Sequence, residues 1–159
     1  MSAIVKRLHD LLDRSGVTYE ILHHHTDFRA KTTAEDTHTP PREFAKSIFL
    51  WIDGQYALAV LPASHFLSEA KLARSLDAKE VRLASEFEME DLCPDCDVGA
   101  APPFGNLYDL PVYVHPIIAR DEMITFNAGT HEDAVRMAYD DYERLVKPRV
   151  VSMTRHEQE

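Results

Sequence analysis

Only two cysteines occur in 159 residues, basic side chains are outnumbered by acidic ones, and no apolar stretch nears the ~20 residues that span a bilayer. So few cysteines argue against a disulfide-built secreted domain and make the cytoplasm the default compartment. The length fits one domain with a core large enough to need no staple. The opening "MSAIVKRLHDLLDRSG" lacks a continuous apolar region and a small-residue cleavage site, so it reads as an amphipathic helix rather than a signal peptide. No membrane partner is expected. A formal net charge of −10 is wrong for a generic nucleic-acid coat and for a DNA binder, because phosphate binding is driven by Lys and Arg. The deficit is uneven. Residues 1–82 hold 11 basic and 11 acidic side chains, and residues 83–159 hold 6 and 16. A polyanion would therefore approach the first half. There is no internal repeat and no low-complexity segment.

Ile4, Leu8, Leu11 and Leu12 recur at helical spacing, and "VTYEIL" reads as a strand. Residues 23–42 are polar, with adjacent prolines, and form a long connection with a short helix from Thr33. Then "AKSIFLWI" and "QYALAVLP" flank Asp53-Gly54, a strong hairpin signal. A two-residue turn sets Trp51 against Tyr56, Ile48 against Ala59 and Lys46 against Leu61. "HFLSEAKLARSLD" reads as a helix with Phe66, Ala70 and Ala73 on one stripe. "EVRLA", "VYVH" and "EMITFNA" read as strands, and "SEFEMEDL" as a capped short helix. "GTHEDAVRMAYDDYERLVKP" reads as a helix with Thr130 as N-cap and Ala134, Val135, Ala138, Tyr142 and Leu145 on its buried stripe. Residues 149–159 read as a loose tail beyond a domain spanning 1–148. The whole is α+β: one domain with a mixed, mostly antiparallel sheet and surrounding helices.

Lys46 is the misplaced charge, since it sits inside an apolar strand. It can snorkel, pair with a buried acid, or bind an anionic substrate group. Alternation puts it on a face with Ile48, Leu50, Ala57, Ala59 and Leu61, and the two alanines predict space there. The stiff loop "GAAPPFG", residues 99–105, either lines a pocket with backbone groups or is a rigid turn; its glycines permit close approach or positive φ. His131, placed first in a helix, is either an exposed helix-start histidine or one kept neutral by the helix dipole and free to hydrogen-bond a substrate. Three other patterns carry less. His23-His24-His25 cannot all face one ion from a strand. Cys93-Pro-Asp-Cys96 lacks a second pair for zinc and stands among acids that would raise a thiol pKa. Ser68-Glu-Ala-Lys71 matches S-x-x-K without its companion motifs.

Taken in order, "TTAED", "FAKSIFL", "DGQYALAVLPA", "VRLASEFEMEDL", "PDCDVGAAPPFGNLYDLPVYV" and "ITFNAGTHEDAVRM" resemble the YbaK-like family of aminoacyl-tRNA deacylases. That family includes the editing domain of bacterial prolyl-tRNA synthetases. The resemblance implies a curved, partly barrel-like sheet. It also implies trans-editing: hydrolysis of the ester between a small amino acid (Ala, Ser, Thr or Cys) and the tRNA 3′-terminal adenosine, without a cofactor or metal. Lys46 is the implied catalytic residue. The implied substrate-binding set is His38, Ser47, Gly99, Pro102, Pro103, Phe104, Gly105, Gly129 and His131. The implied partners are misacylated tRNA and an aminoacyl-tRNA synthetase, and the charge distribution places the tRNA on the first half, around Arg29, Lys31, Arg42 and Lys46. The alternative is a non-catalytic module of the same fold that binds an aminoacyl-adenosine-like ligand or a synthetase.

Overall fold

The Asp53-Gly54 turn has positive φ at both positions, 46° and 93°. It closes the hairpin of β2 (Phe44–Ile52) and β3 (Gln55–Pro62) in the expected register, Trp51 opposite Tyr56, Ile48 opposite Ala59 and Lys46 opposite Leu61. The computed structural model describes residues 3–23, 43–97 and 99–155. The expected helix from Thr33, the basic side chains Arg29, Lys31 and Arg42, and His24, His25 and His38 lie outside the described residues.

The hairpin is the middle of a mixed sheet of eight strands among the described residues. The other strands are β1 (Tyr19–His23), β4 (Val81–Leu83), β5 (Val112–Val114), β6 (Met123–Asn127), β7 (Asp133–Ala138) and β8 (Arg149–Val150). Their order is β1-β7-β6-β2-β3-β5-β8, with β4 also on β2. The sheet does not close into a barrel. One edge of β2 is forked. Phe44 and Ala45 pair in parallel with β6, whereas Leu50 to Ile52 pair antiparallel with β4. Between the prongs, residues 46–48 pair with neither β4 nor β6, which leaves this edge of β2 unpaired among the described residues beside Lys46 and Ser47, while the Phe49 carbonyl already accepts the Ala84 amide at 2.9 Å.

Five α-helices among the described residues cover the sheet: α1 (Ala3–Arg14), α2 (Glu69–Leu76), α3 (Glu86–Leu92), α4 (Pro116–Arg120) and α5 (Tyr139–Val146). None is long and apolar enough to cross a membrane. On one face, Ile4, Leu8 and Leu12 of α1 pack with Phe126, Val135, Met137 and Tyr142. On the other, Leu72 of α2 packs on Leu50, Ala59 and Leu61 together with Val151 and Met153. α3 begins with a capping box between Ser85 and Glu88. Glu88 also receives Arg82 at 2.9 Å and the Tyr56 hydroxyl, and the Arg82 guanidinium foremost holds its carboxyl far below the usual carboxylate range. The cluster ties α3 to β3 and β4.

Three sequence expectations are overturned. The long helix from Thr130 is a strand as far as Ala138, and only Tyr139–Val146 is helical. Thr130 does collect the amide N–H groups of Glu132 and Asp133, but this turn opens β7. β7 takes partners on both edges, β1 and β6, and that non-local pairing overrides a helical pattern that was satisfied only locally. His131 therefore lies in a turn, and no helix dipole acts on it. Second, Phe66 and Leu67 precede α2, which starts after the Ser68 N-cap, so Phe66 lies outside the buried stripe. Third, the tail is docked as far as Arg155. β8 pairs with β5, and Val151, Met153 and Thr154 are buried.

Candidate functional site

Lys46 is half-buried on β2, and its Nζ lies 5.2 Å from the centroid of the Phe66 ring. Burial lowers its pKa below the ordinary lysine value. No carboxylate among the described residues forms an ion pair with it, so the buried-acid reading finds no partner there. The open space expected on its face is absent. Leu72, Val151 and Met153 fill the ground over Ala59 and Leu61, because α2 and the docked C-terminal segment cover it.

The cleft lies on the opposite side of β2, at the fork. It has a volume of about 40 Å³ and is walled by Ser47 and Phe49 of β2, Glu86, Met89 and Glu90 of α3, and Cys93, Cys96, Asp97, Gly99 and Ala101. A water needs about 10–15 Å³, so the cleft holds a few waters or a small side chain. The Ser47 hydroxyl oxygen is buried and has no hydrogen-bond partner among the described residues. A water in the cleft or a polar ligand atom would satisfy it. Lys46 and Ser47 are adjacent in the chain but face opposite ways, so the site has two sides joined across the edge of residues 46–48, which is open among the described residues.

The floor of the cleft is stitched from two loops. The amide of Asp97 donates to the Gly129 carbonyl at 2.9 Å, and that of Gly129 to the Ala100 carbonyl at 2.8 Å. The Asp97 carboxylate accepts the His131 amide at 3.1 Å. Gly99 and Gly129 both have positive φ, 80° and 103°, where a side chain would be strained. His131 is buried beside Gly99, its Cε1 3.8 Å from where a Gly99 Cβ would stand. Cys93 and Cys96 are joined as a disulfide that forms part of the wall.

The remainder of the Pro-rich loop turns inward. Phe104 is fully buried, edge-on to Phe126 and Tyr142 at 5.4 and 5.2 Å. The Tyr108 hydroxyl donates to the Pro102 carbonyl at 2.9 Å and the Tyr142 hydroxyl to the Pro103 carbonyl at 2.7 Å. Burial pushes both phenols well above their ordinary pKa, so each stays a donor. Tyr142→Phe strands the Pro103 carbonyl and should cost about 1–3 kcal/mol. At roughly 2–4 °C per kcal/mol for a domain of this size, a thermal melt should fall by several degrees; an unchanged midpoint would show that the bond contributes nothing.

Of the sequence-derived set, Ser47 and Gly99 share the cleft, and Gly129 and His131 brace it from behind. Pro102, Pro103, Phe104 and Gly105 support the loop from the core, Lys46 stands on the other side of the strand, and His38 is outside the described residues. Asp97, Phe49 and Met89 were not picked out by sequence reasoning. Asp97 is one acid among many there, and only its contact with residue 131 distinguishes it.

The same architecture recurs in solved structures. A proposed trans-editing enzyme for prolyl tRNA synthetase superposes with a TM-score of 0.84 at 19% identity, covering 98% of this chain and 99% of that one. A scaffold from computational grafting of linear epitopes gives 0.85 at 18% identity, covering 98% and 100%. The hypothetical protein APE2540 gives 0.82 at 17% identity, covering 94% and 99%. At these identities the likeness establishes the fold alone. No curated protein matches. The sequence profile of the aminoacyl-tRNA editing domain matches residues 26–145, most of the chain. The chain belongs to the aminoacyl-tRNA editing domain family.

Proposed function

We propose that this protein deacylates misacylated tRNA in trans, hydrolysing the ester between a small amino acid and the 3′-terminal adenosine. The observation that carries the reading is the half-buried Lys46 ammonium, without a carboxylate partner among the described residues, one residue from the orphaned Ser47 hydroxyl in a cleft of about 40 Å³. An ammonium in that state is a receptor for an anion, and the tRNA 3′ end supplies phosphates. The acyl group crosses the open edge of β2 into the cleft, whose volume restricts it to a small side chain. The α-ammonium of an aminoacyl ester is cationic, and Glu86, Glu90 and Asp97 on the wall complement it. The acidity of the second half of the chain thus has a use at the site itself.

In the reaction, water adds to the ester carbonyl, the C–O bond to the ribose breaks, and the departing oxygen takes a proton. The products are a free amino acid and tRNA with its hydroxyl restored. Lys46 anchors the nucleotide and Ser47 hydrogen-bonds the acyl group or the attacking water, so the rate comes from positioning and polarisation. A synthetase that supplies tRNA specificity is the fitting protein partner.

The test is release of amino acid from tRNAs mischarged with Ala, Ser, Thr and Cys, beside correctly charged controls bearing large side chains. Release of at least one small amino acid, with the large ones spared, is the expected result. No release from any member of the panel would replace the hydrolase with the non-catalytic binding module.

A further inference from the structure

Phe66 is 65% exposed, yet two cations attend it. The Lys46 Nζ lies 5.2 Å and the Arg155 Cζ 5.3 Å from its ring centroid. The backbone that carries the ring is anchored. Arg155 donates its amide to the Phe66 carbonyl at 3.1 Å, Ser68 donates its amide to the Met153 carbonyl at 2.7 Å, and Leu67 bridges Thr154. The segment that presents the phenyl ring is thus fastened to the C-terminal segment, and its side chain is left in solvent beside the ammonium that receives the substrate.

An exposed aromatic ring flanked by cations is the arrangement by which proteins hold unpaired nucleotides. The ring stacks a base, which any base can satisfy, and the cations take the phosphates on either side. The competing reading is a surface cation–π cluster. Each exposed contact of that kind contributes only about 0.5–1 kcal/mol, and a cluster with no other role gives no reason to draw the half-buried Lys46 toward it. We infer that Phe66 is the stacking platform for the unpaired terminal base of the tRNA 3′ end, with Arg155 and Lys46 on the adjoining phosphates. This rests on the deacylase reading and adds a positioning residue to it.

Three proteins decide the matter: wild type, Phe66→Leu and Phe66→Trp. The side chain is exposed, so folding is not at stake. For the mischarged tRNA that wild type hydrolyses best, Phe66→Leu should raise KM about tenfold or more with kcat within about twofold, and Phe66→Trp should restore KM. In a second measurement, free of catalysis, the unacylated trinucleotide CpCpA should quench the new tryptophan of Phe66→Trp. The wild type, whose single tryptophan is Trp51, should show no quenching. Unchanged KM in Phe66→Leu, or no quenching by CpCpA, overturns the platform while leaving the deacylase intact. Quenching without hydrolysis by wild type supports the platform and sinks the deacylase.

Discussion

Lys46→Ala should lose amino-acid release by about tenfold to a hundredfold while the domain melts within a few degrees of wild type. A charge-assisted hydrogen bond contributes about 1.5–3 kcal/mol, and each 1.36 kcal/mol of transition-state stabilisation is tenfold in rate. Stability should hold because the ammonium leaves no ion-pair partner stranded among the described residues. The pH dependence follows from the same burial. Desolvation lowers the folded-state pKa of Lys46 below the unfolded value, so the unfolded chain binds more protons in the window between the two. The charged lysine therefore burdens the fold at neutral pH. That burden fades as pH rises through the folded pKa, whereas substrate binding is lost over the same rise. Release, corrected for spontaneous hydrolysis, should thus show an alkaline limb below the ordinary lysine pKa of about 10.4, and Lys46→Arg should move that limb upward. A fully active Lys46→Ala protein would remove Lys46 from the site. Loss of activity together with unfolding would make it a structural residue.

Gly105→Ala should be the most crowded of the glycine-to-alanine changes. A Cβ at Gly105 would overlap the Leu110 carbonyl oxygen and stand 2.7 Å from Val112 Cγ2. Overpacking typically costs 1–3 kcal/mol, and here the obstacle is backbone, held by the Leu110 amide donating to the Gly105 carbonyl at 3.1 Å. A loss of about 3 kcal/mol or more implies a fall of roughly 6–12 °C in a thermal melt, or failure to accumulate folded protein. A midpoint within 2 °C of wild type, to order of magnitude, would show that the turn yields freely.

The two loop glycines show how far the sequence could be read. The sequence of "GAAPPFG" calls for close approach or positive φ, and the structure divides the two between its glycines. Gly99 needs its φ of 80°, and Gly105 needs the room. The hairpin register was legible because Asp-Gly is a local device that fixes every pairing after it. Lys46 was legible because a charge in an apolar run has few explanations. The direction it faces was not useful, because the cover over Ala59 and Leu61 comes from Val151 and Met153, some ninety residues away. β7 was hidden for a related reason. Thr130, Asp133 and the stripe from Ala134 to Leu145 satisfy a helix locally, and only its pairing with β1 and β6 makes residues 133–138 a strand. The cleft itself depends on a fork between β4 and β6, which no local pattern announces.

The docked C-terminal segment also bears on how the protein is handled. Arg155 rests on Phe66 beside Lys46, so a reporter fused directly to Arg155 would start beside the proposed substrate-receiving lysine. If the protein acts as proposed, such a fusion would crowd the tRNA 3′ end and lower the measured release. Removing a cleavable C-terminal tag before the assay separates that steric shielding from a true lack of activity.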